Sequence, residues 1–338
     1  MENINWGSLG FGYIKTDLNV RSSYKDGKWG PLATTADEYI SLHMAATCLH
    51  YGQEVFEGLK AYRGKDGKIR IFRIEENAKR MISTAEYLCM QAPSVEMFRE
   101  AVTEAVRANE RFIPPYGTGA TLYIRPLLIG SDAQVGVNPA KEYMFLVFVT
   151  PVGPYYKEGF NPIRVIVDRN HDRAAPLGTG HVKTGGNYAA SLLSGREAHH
   201  NGYPGVLYLD ACEKRYIDEC GAANFFAIRD GRYITPCSRS ILPSITNMSL
   251  QQIAADMGLT VERRQVEFAE LSTFEEAGAC GTAAVISPIG VVFDPDNDRK
   301  YTFGDGVHAG PWCTKLYERL RAIQWGDAPD PYGWTTVL

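Results

Sequence analysis

The sequence has no C-x-x-C pair, no run of basic residues and no apolar stretch long enough to cross a bilayer. Each absence removes a class of function. Seven cysteines, at 48, 89, 212, 220, 237, 280 and 313, are odd in number and scattered, which fits neither a disulfide framework nor a zinc site. Adjacent side chains on a helix point apart, so His199 and His200, on a predicted helix, are expected on the surface and no metal is expected. Lys and Arg number 35 against 39 Asp and Glu, a net charge of −4, so no phosphate-backbone footprint exists and no nucleic-acid partner is expected. The most apolar segment, Met144 to Val149, is far too short for a membrane span. The opening residues lack a basic start followed by an apolar run, so no leader is expected and the expected location is cytoplasmic.

What remains is an ordinary globular composition, 45% hydrophobic and 22% charged, over 338 residues. That length suits two cores of about 150 residues each. Residues 1–150 read as a smaller N-terminal α/β domain, 151–160 as a Pro/Gly-marked linker, and 161–338 as a larger C-terminal α/β domain. In the first part the alternation of Lys68 to Arg73 predicts a strand. Helices are predicted over 75–88 and 95–111, Pro114 and Pro115 end that region, and strands follow at 121–128 and 143–149. In the second part strands are predicted at 163–167, 205–210, 225–229 and 233–235, with Asp230-Gly231 as a tight hairpin turn. Helices are predicted over 187–201 and 246–257, the latter stopped by Gly258, and a terminal helix carries Trp312, Leu316, Leu320 and Ile323. The fold class expected is α/β, of the α+β type.

One lysine stands out. Lys183 lies in Gly178-Thr-Gly-His-Val-Lys183-Thr-Gly-Gly-Asn-Tyr188, a stretch with little other charge whose glycines allow close backbone approach. An amine in that setting suits a Schiff base to a cofactor or a carbonyl substrate. Read locally, an ordinary surface lysine fits as well. A phosphate-binding P-loop does not, because the two glycines it requires are Val182 and Leu177 here. Glu219, 36 residues downstream, is a carboxylate of the kind that keeps a pyridine nitrogen protonated, though read locally a solvated carboxylate at a strand end fits better.

Several motifs, in order, carry a likeness to a known family. They are Leu49-His-Tyr-Gly52, Phe56-Glu-Gly-Leu-Lys-Ala-Tyr62, Phe72-Arg through Lys79-Arg-Met81, Leu122-Tyr-Ile-Arg-Pro126, Pro151-Val-Gly-Pro154, Lys183 to Tyr188, Glu219 through Asn224-Phe, Ile241-Leu-Pro243 and Gly281-Thr-Ala283. Together they span nearly the whole chain, which resembles a branched-chain amino acid aminotransferase of fold type IV. The resemblance implies a two-domain enzyme with pyridoxal 5'-phosphate at the domain interface and a homodimeric assembly. It implies reversible transfer of an amino group from L-leucine, L-isoleucine or L-valine to 2-oxoglutarate, so the partners expected are small amino acids and 2-oxo acids.

By the same resemblance Lys183 would hold the cofactor as a Schiff base and carry the proton to and from the substrate α-carbon. Glu219 would pair with the ring nitrogen, and Tyr188 would hydrogen-bond the ring hydroxyl. Arg80 would offer a guanidinium fork to the phosphate, joined by the backbone N–H groups of Ile245 and Thr246 at a helix start and the hydroxyl of Thr282. Read alone, Arg80 is a solvated helix residue and Tyr188 a half-buried aromatic. The substrate pocket would comprise Tyr51, Phe56, Tyr123 and Tyr155, with Arg125 toward a distal carboxylate and backbone donors near Ala283 toward the α-carboxylate. The chain departs from the family pattern at Ser244, where Gly is usual, at Asn247, where a basic residue is usual, and at Ala222, where some members have Thr. Where some relatives carry a redox C-x-x-C pair, this chain has Ala284 and Ser287. The runner-up readings are a D-amino acid aminotransferase or an aminodeoxychorismate lyase of the same fold, and a non-catalytic protein on this scaffold.

Overall fold

The computed structural model describes residues 4–153, 155 and 160–338. They divide into two compact units, Met1–Pro154 with Val182–Gly185 and Ala322–Leu338, and Tyr155–His181 with Gly186–Arg321.

The first unit is built on an antiparallel sheet. Its strands are β1 (Asn19–Lys25), β2 (Lys28–Trp29), β3 (Ala33–Thr35), β4 (Glu54–Phe56), β5 (Leu59–Arg63), β6 (Ile69–Phe72), β7 (Thr121–Gly130) and β8 (Tyr143–Val152). A strand at Thr335–Val337 pairs with β6, and the order continues β6-β5-β7-β8-β1-β2, with β3 on β1 and β4 on β7. The hydrophobic runs of β7 and β8 pair along their whole length, from Thr121 opposite Val152 to Gly130 opposite Tyr143. Three helices belong here: α1 (Thr47–Tyr51), α2 (Ile74–Tyr87) and α3 (Val95–Ala108). Ala78, Met81 and Ala85 of α2 join Phe98, Val102, Ala105 and Val106 of α3 in one core with Phe145 and Val147 of β8. These are the faces the helical spacing predicts. Ser94 caps α3 by accepting from the Met97 amide. The helix stops at Ala108, earlier than the expected 111, because the buried Asn109 side chain turns back. Its Nδ2 donates to the Ala105 and Leu18 carbonyls, and its Oδ1 accepts from the Asp17 and Leu18 amides.

The second unit contains β9 (Ile163–Asp168), β10 (Gly205–Leu209), β11 (Ile217–Cys220), β12 (Ala223–Arg229), β13 (Arg232–Pro236), β14 (Thr260–Arg264), β15 (Glu276–Gly281), β16 (Val285–Asp294) and β17 (Arg299–Thr302). The order is β11-β10-β9-β16-β15-β12-β13-β14, with β17 on β16, and a further β11–β12 pairing closes the first part of that path on itself. Parallel pairs, β9 with β10 and β16 and β13 with β14, mix with antiparallel hairpins. Asp230 and Gly231 turn β12 into β13 with φ of 49° and 68°, the doubly positive pair that a two-residue hairpin demands. The expected helix over 187–201 is two helices, α4 (Gly185–Ala190) and α5 (Leu192–His200). They part at Ser191, whose hydroxyl donates to the Tyr188 carbonyl at 2.8 Å, a local bond that competes with the helical ladder. Two longer helices follow, α6 (Ile245–Asp256) and α7 (Pro311–Trp325). None of the helices among the described residues is long and apolar enough to cross a membrane.

Two assignments read from the sequence differ from these units. The linker expected at 151–160 begins too early, because Pro151 and Val152 extend β8 and pair with Leu122 and Thr121; residues 154 and 156–159 of that segment lie outside the described residues. Lys183, assigned from the sequence to residues 161–338, belongs to the first unit. There the Phe56 amide donates to its carbonyl and its own amide donates to Thr84 Oγ1.

In the second unit the buried carboxylate of Glu276 accepts from the amides of Trp312 and Cys313, both at 2.8 Å, and so caps the first turn of α7. Replacing Glu276 with Ala should cost about 1–2 kcal/mol of folding stability, the range for losing a helix cap. Replacement with Gln, which keeps one acceptor, should cost less. Chemical denaturation of both variants checks the order, and equal stabilities for wild type and Glu276→Ala would contradict the capping role.

Candidate functional site

In the first unit the lysine segment is clasped along its backbone. The Lys183 carbonyl accepts from Phe56, the Lys183 amide donates to Thr84 Oγ1 at 3.1 Å, and the Glu54 carboxylate accepts from the Gly185 amide and the Thr184 hydroxyl. Burial raises the Glu54 carboxyl above its ordinary pKa, opposed by the Gly185 hydrogen bond. So held, the Lys183 ammonium position lies 4.7 Å above the centre of the Phe56 ring. Desolvation, helped by the positive charges of Arg80 and Arg125 and opposed by Glu57 and Tyr123, brings its pKa from 10.5 down to about 8. A lysine with that pKa is substantially neutral near pH 8, and neutral amines are the nucleophiles.

Arg80 presents two of its donors, Nε and Nη2, to the two oxygens of Glu57, each at 2.8 Å. Glu57 is fully buried on the chain beside Phe56, so the pair is a fixed fork-to-carboxylate contact rather than a surface ion pair. Arg125 lies over Phe56 at 4.9 Å and over Tyr123 at 5.3 Å, and its Nη2 donates to the Tyr123 hydroxyl at 3.2 Å. Gly58 makes room for this arrangement, since a Cβ there would strike the Tyr123 hydroxyl. Lys183, Arg80, Phe56, Tyr123 and Arg125 are therefore one neighbourhood. Tyr51 stands apart from it in contact terms, 40% exposed, with its hydroxyl donating to the Val135 carbonyl.

The second unit carries the other expected residues. Glu219, on β11, is buried, and its Oε1 accepts from Asn224 Nδ2 at 2.7 Å and from the Leu242 amide at 3.0 Å. Arg173 Nε lies 2.8 Å from Oε2, near enough for an ion pair though its N–H is not aligned for a hydrogen bond. The Arg173 Nη2 donates to the carbonyls of Gly180 and Ser240. Beside Glu219 on the strand, Asp218 accepts from the hydroxyls of Ser238 and Ser240, and burial raises its carboxyl pKa. Ile245 and Thr246, both buried, form the first turn of α6, where backbone N–H groups have no partner within the helix. Ser244, in place of the usual Gly, is the N-cap, its hydroxyl accepting from the Asn247 amide at 3.2 Å. Thr282 and Ala283 sit in the turn between β15 and β16, closed by Gly281 opposite Val285. Val285 is β-branched yet has φ of 64°, a strained conformation that costs about 1–3 kcal/mol. Tyr188 lies on α4 and is half-buried, Tyr155 is 44% exposed, and Ala222 is exposed in the β11–β12 turn.

Sequence reasoning missed Glu57, Thr84, Glu54 and Arg173 as parts of these arrangements. Glu57 was in plain view within Phe56-Glu-Gly58, but nothing local told a buried partner for arginine from a solvated carboxylate. Among the described residues no group of His, Cys, Asp and Glu could hold a metal ion.

The family described as amino-transferase class IV matches residues 54–292. The branched-chain-amino-acid aminotransferase of Haemophilus influenzae is 48% identical over 341 residues, covering 99% of this chain and 98% of that protein. That of Helicobacter pylori strain J99 is 45% identical, covering 99% and 98%. Among solved structures, the Escherichia coli branched-chain amino acid aminotransferase superposes with a TM-score of 0.80 at 27% identity, covering 95% of this chain and 99% of that one. The branched-chain amino acid aminotransferase from Thermobaculum terrenum, in its PLP-bound holo-form, does so at 0.77 and 25% identity, covering 96% and 98%.

The lowered pKa of Lys183 has a measurable sign. The unfolded lysine binds its proton more tightly, so this group's contribution to folding stability grows as pH rises through about 8 toward the unfolded value of 10.5. Reductive methylation by formaldehyde, followed by peptide mapping, should label Lys183 with a rate midpoint near pH 8. A midpoint with the bulk of the surface lysines would contradict the desolvated setting.

Proposed function

The chain belongs to the class IV aminotransferases, in the branched-chain-amino-acid aminotransferase family, and from that premise we propose that it moves the amino group of L-leucine, L-isoleucine or L-valine to 2-oxoglutarate, reversibly, with pyridoxal 5'-phosphate as cofactor. The observation that carries this reading is the desolvated Lys183 amine above Phe56, in a chain alike over its full length to enzymes of this name. The donor set fits the cofactor. A nucleophilic amine suits its aldehyde, a buried carboxylate held by two hydrogen bonds beside an arginine suits a protonated pyridine nitrogen, and a helix start suits a phosphate. When bound, the cofactor supplies the carbonyl that takes up the amino group and the ring that accepts the electron pair left at the substrate α-carbon.

The chain's own residues do the rest. Lys183 would hold the cofactor through its amine and, with that amine free, would move the proton at the substrate α-carbon. Glu219, oriented by Asn224 and the Leu242 amide, would face the ring nitrogen. Tyr188 hydrogen-bonds the ring hydroxyl. The amides of Ile245 and Thr246, the Thr282 hydroxyl and the positive charge of Arg80, oriented by Glu57, receive the phosphate. Phe56 and Tyr123 would face the substrate side chain, while the roles of Tyr51 and Tyr155 there rest on the family resemblance alone. The backbone near Ala283 takes the α-carboxylate. Arg125, braced by Tyr123, meets the distal carboxylate when glutamate or 2-oxoglutarate is the substrate.

The assembly is a homodimer in this reading. Met44, Leu49, Tyr51, Val135 and Val137 are 40–84% exposed on the first unit. The bridge between Ala46 and Ala133 and the Tyr51 contact with Val135 bring their two segments side by side, and an apolar surface of that kind is suited to a second copy.

The test is to follow the two half-reactions of the holoenzyme separately by absorbance. L-Leucine, L-isoleucine and L-valine should all react, because one methylene in an apolar pocket is worth only about 1–3 kcal/mol, and D-alanine should be far slower. Arg125→Met should slow the glutamate half-reaction more than the leucine one. Faster turnover of D-alanine than L-leucine would move the chain to the D-amino acid branch of the fold, and equal losses in the Arg125 variant would remove its discriminating role.

A further inference from the structure

Asn247, where the family pattern has a basic residue, is buried and belongs to a closed chain of hydrogen bonds that ends on Glu219. Glu219 and Asn224 face each other across the β11–β12 hairpin. One hydrogen of Asn224 Nδ2 goes to Glu219 Oε1 at 2.7 Å and the other to the Leu242 carbonyl at 3.1 Å, while the Leu242 amide donates to the same Oε1. Asn224 Oδ1 in turn accepts from Asn247 Nδ2 at 3.1 Å. The second Asn247 hydrogen goes to Thr235 Oγ1 at 2.9 Å, an oxygen whose own proton is given to the Phe225 carbonyl. Asn247 Oδ1 accepts from the Tyr233 hydroxyl at 2.8 Å.

Every step in this chain has a fixed direction. Turning Asn224 over would set its N–H against the Asn247 N–H and its oxygen against the Glu219 carboxylate, and turning Asn247 over would set its oxygen against Asn224 Oδ1; buried polar groups left without a partner are costly. Burial holds the Tyr233 phenol well above its ordinary pKa, so it remains a donor at any working pH. Asn247 also ties its backbone to the start of α6, since its amide donates to the Ser244 cap. Asn247, through Asn224, thus links the helix turn that includes Ile245 and Thr246 to the carboxylate on β11.

We propose that Asn224 and Asn247, oriented by Tyr233, are positioning residues that fix the Glu219 carboxylate in place and lock the start of α6 to it. The inference rests on the cofactor reading above, in which Glu219 serves the ring nitrogen and the start of α6 the phosphate. A protonated basic side chain at 247 could not accept the Tyr233 proton, as the Asn247 amide oxygen does.

Tyr233→Phe removes a single donor at nearly constant volume, and Asn247→Leu removes the whole link. Each is made alone and combined with Glu219→Gln. Three readouts are taken: thermal unfolding of the apoprotein, affinity of the apoprotein for pyridoxamine 5'-phosphate, and the pH midpoint of the holoenzyme's visible band. In the Glu219 background both variants should weaken affinity, Asn247→Leu by about tenfold and Tyr233→Phe by less, and should shift the spectral midpoint. In the Glu219→Gln background those shifts should largely vanish, because the residues act through the carboxylate. Equal effects in both backgrounds, or lower unfolding temperature with unchanged affinity and spectrum, would overturn the proposal while leaving the cofactor reading intact. A Glu219→Gln enzyme with unchanged spectrum and affinity would overturn both. Should Asn247→Leu fail to fold, Tyr233→Phe alone carries the comparison.

Discussion

The cost of keeping an ammonium group out of water governs the first unit. The Lys183 backbone is held by its bonds to Phe56 and Thr84, which fix where its side chain starts. Below it lies an aromatic face, and around it lie two arginines and a buried glutamate. Desolvation outweighs the rest and lowers its proton affinity. Arg80 cannot move closer or farther to change this balance, because Glu57 grips it by two bonds in the interior. A buried pair of this kind gives little net stability, since desolvation offsets much of the attraction. Its effect is geometric: a positive charge at a constant place near the amine.

The second unit solves a related problem for a carboxylate. Glu219 is buried among core residues, where Asn224 and the Leu242 amide donate to one oxygen and the Arg173 guanidinium lies beside the other. Asp218, its neighbour on the strand, has two serine hydroxyls as direct partners, and burial raises its proton affinity. Two adjacent acids on one strand are thereby set to different tasks by what surrounds them. Strain appears close by, at Val285, directly after the Thr282-Ala283 turn.

The strongly periodic helices and the long apolar strands were legible in the sequence because their own spacing decides them. Met81 and Phe98 lie where a helical period puts them, and Asp230-Gly231 turns as that pair must. Short strands such as β4, β5 and β11 were not legible; each owes its form to neighbours distant in the chain, as β4 does to β7. The break at Ser191 and the stop at Asn109 depend on side-chain bonds that only the folded chain offers. The membership of Lys183 in the first unit was hidden for the same reason, since Thr84 lies 99 residues away. The family motifs pointed to Lys183 and Glu219 directly. Their partners Glu57, Arg173 and Asn247 needed the structure, because a charged or amide side chain carries no local mark of burial.

The central claim is that Lys183 is the residue that bonds to the cofactor. Borohydride reduction of the holoenzyme, followed by proteolysis and mass mapping, tests it most directly, because reduction makes the link permanent wherever it stands. The account predicts a phosphopyridoxyl mass on the peptide containing Lys183 and on no other. The same mass on Lys60, which is buried in β5, or on Lys214, which is ion-paired to Asp172, would contradict it.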